Sequence, residues 1–170
     1  LEGLEHSIGV SFDDRSLLEL AFVHSSFLAE FPGVYVESNE RLEFLGDALL
    51  GLVVGHELFD RFPDRPEGQL TQMRAALVSG EALAQVADGL KLGGYLILGK
   101  GETATGGLER ESNRANAFEA LVGAIFLDRG YSPACEFTLR VMDSAIEAVA
   151  ERDALPKHPK SLLHEEAMSR

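Results

Sequence analysis

The chain reads as an all-α protein. Almost every segment repeats its apolar residues at the three-to-four spacing of a helix face, and no segment shows the alternation of a half-buried strand. Proline, glycine and N-cap residue types punctuate the sequence at helix-length intervals. With 170 residues and 45% hydrophobic content, one domain, or one domain plus a fragment, has ample material for a core.

In order, residues 1–8 form a short helix and residues 11–16 turn into the next. Ser16 is the expected cap of a helix over 17–23. Residues 31–38, with Pro32 and Gly33, are a loop, and Asn39 is the expected cap of a central helix running to about Arg61. Pro63 and Pro66 end that helix and pre-set the next start, since proline is tolerated in a first turn. Glu67 then sits where a helix N-terminus favours negative charge, and the helix continues over 70–78. Ser79 caps residues 81–90. Residues 93–107 are glycine-rich and polar and read as a loop. Residues 108–127 are helical, and Ser132 caps a last long helix over 133–152. Pro156 and Pro159 mark a linker before a further helical start at 160–169.

No run approaches the roughly 18 apolar residues of a membrane span, so no membrane partner is expected. No basic region followed by an apolar stretch opens the chain. The single Cys135 cannot form an internal disulfide and reads as a reduced core thiol. Both features lead to a cytoplasmic expectation. The net charge of -13 argues against a sequence-independent nucleic-acid binder. That argument weakens if the acids gather around cations, or if a basic companion domain lies outside the chain.

The segment 39–50, NERLEFLGDALL, places Glu40, Glu43 and Asp47 within roughly 60° of one another on a helix. Around them run Leu42, Phe44, Leu45, Leu49, Leu50, Leu52, Val53 and Val54. Ionised carboxylates beside such a core are costly unless paired or bound to a cation. Arg41 adjoins Glu40 but points about 100° away from it. Residues 115–127, ANAFEALVGAIFL, carry only two polar side chains, Asn116 and Glu119, one turn apart on one face. Two such helices can face each other in a bundle, and hard divalent cations prefer carboxylate, amide and water oxygens. Any one of these carboxylates alone is more simply a solvated or ion-paired group. For the set, spacing alone leaves a metal site and a solvated stripe both open.

Other motifs carry less. His56-Glu57 lacks the second histidine of a zinc-protease helix. His24, His56, His158 and His164 have no zinc spacing. Gly99, Gly101, Gly106 and Gly107 follow no strand pattern, so they fit neither nucleotide-binding fingerprint and read as loop flexibility. Lys100 and Arg110 are possible phosphate contacts, with solvated loop charges as the plainer reading.

At this point the residues resemble a known family. NERLEFLGDALL is similar to the long signature of ribonuclease III, the double-stranded-RNA endonuclease. FVHSS at 22–26 resembles the family's T-H-x-S element, with Val23 in the Thr place. Glu67-Gly68 with Leu70, Arg74 and Ala75 resembles its E-G-x-L-x-x-x-R-A element. LGKGE at 98–102 resembles the loop before the second acidic helix, and Arg110-Glu111-Ser112 with residues 115–128 resembles that helix. The resemblance covers roughly residues 1–149. Pro159-Lys160-Ser161-Leu162-Leu163 with Glu165 looks like the opening of a double-stranded-RNA-binding domain.

The resemblance implies a ribonuclease III-type endonuclease domain at 1–152, forming a two-fold homodimer. It implies a linker and truncated start of an RNA-binding domain at 153–170. It implies Mg²⁺, with Mn²⁺ able to substitute, held by Glu43, Asp47, Asn116 and Glu119, with Asp47 and Glu119 catalytic. Glu40 and Glu67 match auxiliary acidic positions near the cleavage valley, partly through the dimer partner. The implied reaction hydrolyses double-stranded RNA to 5′-phosphate and 3′-hydroxyl ends, in rRNA and mRNA processing. Phe44 and Leu45 are either core or dimer contacts. Asn116 is the departure: the family usually has Asp there, and Asn keeps a carbonyl oxygen but loses the charge. It motivates an alternative, a weakened member that binds double-stranded RNA without efficient cleavage. A non-enzymatic helical interaction domain is the alternative from another class.

Overall fold

A computed structural model describes residues 2–154. Among the described residues there are nine α-helices, one short 3-10 turn and no strand; the only sheet-like pairs are isolated bridges, Val23 with Ile97 and Pro32 with Tyr35. The helices are α1 Glu2–Ile8, α2 Arg15–Leu20, α3 Ser25–Glu30, α4 Glu40–Arg61, α5 Glu67–Leu77, α6 Gly80–Gly89, α7 Lys100–Ala104, α8 Glu111–Arg129 and α9 Tyr131–Ala154. The all-α expectation holds.

The hub is α8. Ala115, Ala117, Phe118, Ala120, Leu121, Val122, Ala124 and Ile125 are all buried, so this helix is enclosed on nearly every side. It packs most extensively on α4, then on α6 and α9. Leu50, Val53, Val54 and Leu58 of α4, Leu83 and Ala87 of α6, and Phe137 and Ile146 of α9 close the core around it. Burying each of the large aliphatic side chains contributes roughly 2 kcal/mol. Phe118 and Phe137 pack with ring centroids 6.2 Å apart.

Two glycines let α4 and α8 meet backbone to backbone. A Cβ on Gly46 would stand 1.8 Å from the Glu119 carbonyl oxygen, and one on Gly123 would stand 2.3 Å from the Leu42 carbonyl oxygen. No residue with a side chain fits either place. Glycine costs a helix about 1 kcal/mol against alanine, and here the close approach of two core helices offsets it.

Several local expectations are corrected. Ser16 does not cap α2: Asp14 does, its carboxylate accepting from the Ser16 N–H at 2.9 Å and the Ser16 hydroxyl at 2.6 Å. Both bonds hold the Asp14 carboxyl below its usual range. Asn39 precedes α4 as expected, but it is already helical at φ -71° and its side chain makes no cap bond. Its amide donates to the Ala21 carbonyl at 3.2 Å and its N–H to Val23 at 2.8 Å. The Ser38 hydroxyl serves the first turn instead, accepting from Glu40 N–H at 3.4 Å and donating to the Glu40 carboxylate at 2.9 Å.

The short helix α3 is an addition to the sequence reading; the His24 ring nitrogen accepts from the Ser26 N–H at 3.1 Å and starts it. Residues 93–107 are not all loop: they hold most of the 3-10 turn Leu92–Tyr95 and α7. Glu30 caps α7 from seventy residues away, accepting from Lys100 N–H at 2.8 Å and Gly101 N–H at 2.9 Å. A local reading of sequence has no access to such a cap. The helix α9 begins at Tyr131, directly after Gly130 at φ 82°, so Ser132 lies inside it. Cys135 is a free, half-buried thiol on α9. Among the described residues no helix is long and apolar enough to cross a membrane. The linker at Pro156 and Pro159 and the helical start at 160–169 lie outside the described residues.

The glycine crossing yields a direct test. We expect Gly46→Ala to destabilise the fold by about 3 kcal/mol in urea unfolding, because neither backbone can yield without opening the core. Gly51→Ala on the same helix faces open space and should be neutral or stabilising by up to about 1 kcal/mol. Equal effects of the two substitutions would contradict the crossing as the limiting contact.

Candidate active site on the crossing helices

The crossing sets the site. Glu43 and Asp47 flank Gly46 on α4, and the carbonyl that Gly46 meets belongs to Glu119 on α8. Asn116 lies one turn before Glu119 on α8. The two acidic stripes noted in the sequence therefore face each other, as expected.

Their electrostatics show how close they are. Burial pushes the Glu43 carboxyl up, and the charges of Glu40 and Asp47 push it further; a hydrogen bond from the Asn116 side chain pulls the other way. Glu119 is pushed up to about 7, first by burial and then by Asp47 and Glu43. Three carboxylates thus interact across the two helices with an amide among them. Among the described residues no Lys, Arg or His forms an ion pair with Glu43, Asp47 or Glu119. The sequence argument asked for a basic partner or a metal, and the described residues supply no basic partner.

The donor set fits a hard divalent cation: carboxylate and amide oxygens and excess negative charge, with Glu43, Asn116 and Glu119 half-buried and Asp47 exposed. Among the described residues no three acidic, histidine or cysteine side chains already converge into a cage. Like charges without a counter-charge keep their oxygens apart. The arrangement gathers the ligands near one another and leaves the last approach to side-chain rotation.

The auxiliary positions divide. Glu40 is exposed and tied to the Ser38 hydroxyl, yet near enough to raise Glu43. Glu67 is exposed at the start of α5, bound to the Thr71 hydroxyl at 2.8 Å, and no described contact joins it to the cluster. Lys100 and Arg110 are not brought to it either. The Lys100 ammonium lies over the Phe31 ring, 5.6 Å from its centroid. Arg110 pairs with Glu102 at 3.0 Å, and Asn113 donates to that same carboxylate at 2.9 Å. Gly46, Gly123, Ser38 and Asn113 were missed by sequence reasoning. The first two carried a signal, since a glycine inside an apolar helix usually has a packing reason.

Phe44 on α4 is 79% exposed and Leu127, near the end of α8, 53%. They border a cavity of about 520 Å³ lined also by Leu17, Leu20, Leu42 and Leu45, with Glu37, Glu40 and Arg41 at its edge. Leu52 and Phe59 are exposed further along the helix. The central helix is therefore less fully buried than its composition suggests.

The Ribonuclease-III-like family model matches residues 14–145, spanning both acidic helices. The chain belongs to the ribonuclease III family. It is 51% identical over 164 residues to Ribonuclease 3 of Oleidesulfovibrio alaskensis, which covers 96% of this chain and 71% of that protein. The crystal structure of the nuclease domain of ribonuclease III from Campylobacter jejuni superposes with a TM-score of 0.77 at 41% identity, over 85% of this chain and 95% of that one. A second structure of the Campylobacter domain, described for flexibility in a region involved in dimer formation, gives 0.78 at 42% identity over 84% and 96%. As a member of this family the chain is an endoribonuclease of the ribonuclease III type. That excludes the non-enzymatic interaction domain.

The Glu119 environment has a consequence for stability. Its carboxyl titrates near 4.5 in ordinary surroundings and near 7 in the fold. Between those values the folded protein holds a proton that the unfolded chain has lost, so this group's contribution falls as pH rises from 4.5 to 7. In chelator, Glu119→Gln should flatten that fall and leave the protein more stable at pH 8, by roughly 1–2 kcal/mol after screening of this half-exposed group. Urea unfolding at acid and alkaline pH checks it; an unchanged pH dependence would refute the assignment.

Proposed function

We propose that the chain hydrolyses phosphodiester bonds of double-stranded RNA with a divalent cation, Mg²⁺ or Mn²⁺, held by Glu43, Asp47, Asn116 and Glu119. The observation that carries this is the glycine crossing, which brings the helices bearing three carboxylates and an amide together, with no basic partner among the described residues. Bound there, a divalent cation supplies an activated water and neutralises charge on the phosphate. Asp47 and Glu119 are the catalytic pair in this reading. Glu119, with its carboxyl near 7, can hold or release a proton at its carboxylate oxygen close to neutral pH. Glu43 completes the negative cradle, and Asn116 contributes an amide oxygen. The products carry 5′-phosphate and 3′-hydroxyl ends.

The working unit is a two-fold homodimer. A self-complementary interface needs one patch that supplies both knob and hole. Phe44, with the 520 Å³ cavity beside it, supplies both. Closing this face brings a second acidic site alongside the first and gives Glu40 and Glu67 a place at the edge of a shared valley. Two sites on opposite strands fit a duplex substrate, and A-form RNA is recognised by shape and 2′-hydroxyls rather than by sequence. The RNA-binding-domain resemblance at 159–165 would supply the basic surface that this acidic chain lacks. Ribosomal and messenger RNA processing in the cytoplasm is the matching cellular role. Lys100 at the start of α7 and Arg110 just before α8 remain candidates for phosphate contact.

Cleavage of a double-stranded RNA in Mg²⁺, with the chain extended through its RNA-binding domain, tests the chemistry. Glu119→Gln should lower the rate by about 10²–10⁴-fold while leaving RNA binding in place; undiminished cleavage would refute the site. Phe44→Ala should weaken self-association by at least about 2 kcal/mol in sedimentation equilibrium. An unchanged dimer would place the interface elsewhere.

A further inference from the structure

An acidic site that cuts RNA must hold a polyanion against its own charge. RNA carries a phosphate at every nucleotide, and basic side chains that meet those phosphates fix its register. Most described arginines are already engaged. Arg61 pairs with Asp143 and Glu147, Arg110 with Glu102, Arg114 with Asp88 and Arg129 with Asp13. Arg74 on α5 differs: it is exposed and forms no ion pair with any described carboxylate. Glu67, on the same face of α5, does not neutralise it, because that carboxylate accepts from the Thr71 hydroxyl at 2.8 Å.

The Arg74 side chain rests on α4. A Cβ on Gly55 would stand 3.7 Å from Arg74 Cδ and 3.8 Å from Nη1. The guanidinium therefore lies against bare helix, in a place that a long side chain at 55 would contest. Asp47, Gly51 and Gly55 follow one another at four-residue steps and so share one face of α4. A Cβ on Gly51 would meet nothing within 4 Å. Two turns of open backbone, about 12 Å along the axis, thus lead from Asp47 to the seat of Arg74. That separation is too long for both groups to touch one phosphate and suits two phosphates of the same strand.

We propose that Arg74 grips a phosphate of the RNA strand beside the one that is cleaved, with Gly51 and Gly55 forming the track between them. This rests on the reading of Glu43, Asp47 and Glu119 as the cleavage site. The planar guanidinium can donate two parallel hydrogen bonds to a phosphate. The contact is the same in bound and in reacting substrate, so Arg74 sets KM rather than kcat.

The test uses the chain extended through its RNA-binding domain and one double-stranded RNA. Binding is measured in the Glu119→Gln background, where RNA is held without being cut. There Arg74→Gln should weaken binding about tenfold. It should also lower the slope of log affinity against log salt by about one. Arg74→Lys should keep the slope, since the charge remains. With Glu119 restored, Arg74→Gln should raise KM about tenfold at nearly unchanged kcat. An unchanged salt slope overturns the proposal; if self-association weakens as well, Arg74 lies between copies of the chain. Should Glu119→Gln itself leave cleavage intact, the cleavage-site reading fails and takes the proposal with it. Lost cleavage in Glu119→Gln with an unchanged slope in Arg74→Gln fails the proposal alone.

Discussion

The contact of two helix backbones at Gly46 and Gly123 is the constraint on which the rest depends. It brings α4 and α8 closer than side chains would allow, and it fixes the register between them. Glu43 and Asp47 stand on either side of one glycine, and Glu119 supplies the carbonyl which that glycine meets. The position of the acids follows from this packing. A site held by side-chain contacts alone would drift by the width of a rotamer; one held by touching backbones does not.

The same constraint sets an energetic conflict. The core drives α4 and α8 together, and the approach crowds three carboxylates that repel one another beside apolar neighbours. The fold tolerates this because the buried faces of α8 outweigh the repulsion. Local strain of this kind is what a binding site stores: the free energy withheld from stability is recovered when a counter-charge arrives.

Much of this was legible in the sequence, for identifiable reasons. The long helices α4, α5, α6, α8 and α9 follow from apolar periodicity, with breaks at Pro63, Pro66 and Ser79, because those signals are local. The acidic stripes are legible because helical spacing alone puts Glu40, Glu43 and Asp47 on one face. What escaped is non-local. Glu30 starts α7 from the end of α3, and Asn39 gives its amide to Ala21 rather than to its own helix. The caps of α2 and α3 fell to Asp14 and His24, choices that turn on loop dihedrals the sequence does not display. The outward face of Phe44, Leu52 and Phe59 could not be decided from sequence for another reason. An apolar helix reads the same whether its last face meets its own core or a second copy.

Consider the short ladder around the bridge of Val23 and Ile97. Ile97 N–H donates to Phe22 at 2.8 Å, His24 N–H donates to Ile97 at 3.0 Å, and Asn39 N–H donates to Val23 at 2.8 Å. The glycine-rich segment holding Lys100 is thereby stitched to the residue that begins α4. The two ends of this ladder are the segment that leads into α7 and the helix that carries the acids. Three backbone bonds join them, so a displacement of the segment before α7 is passed to the start of the acid-bearing helix.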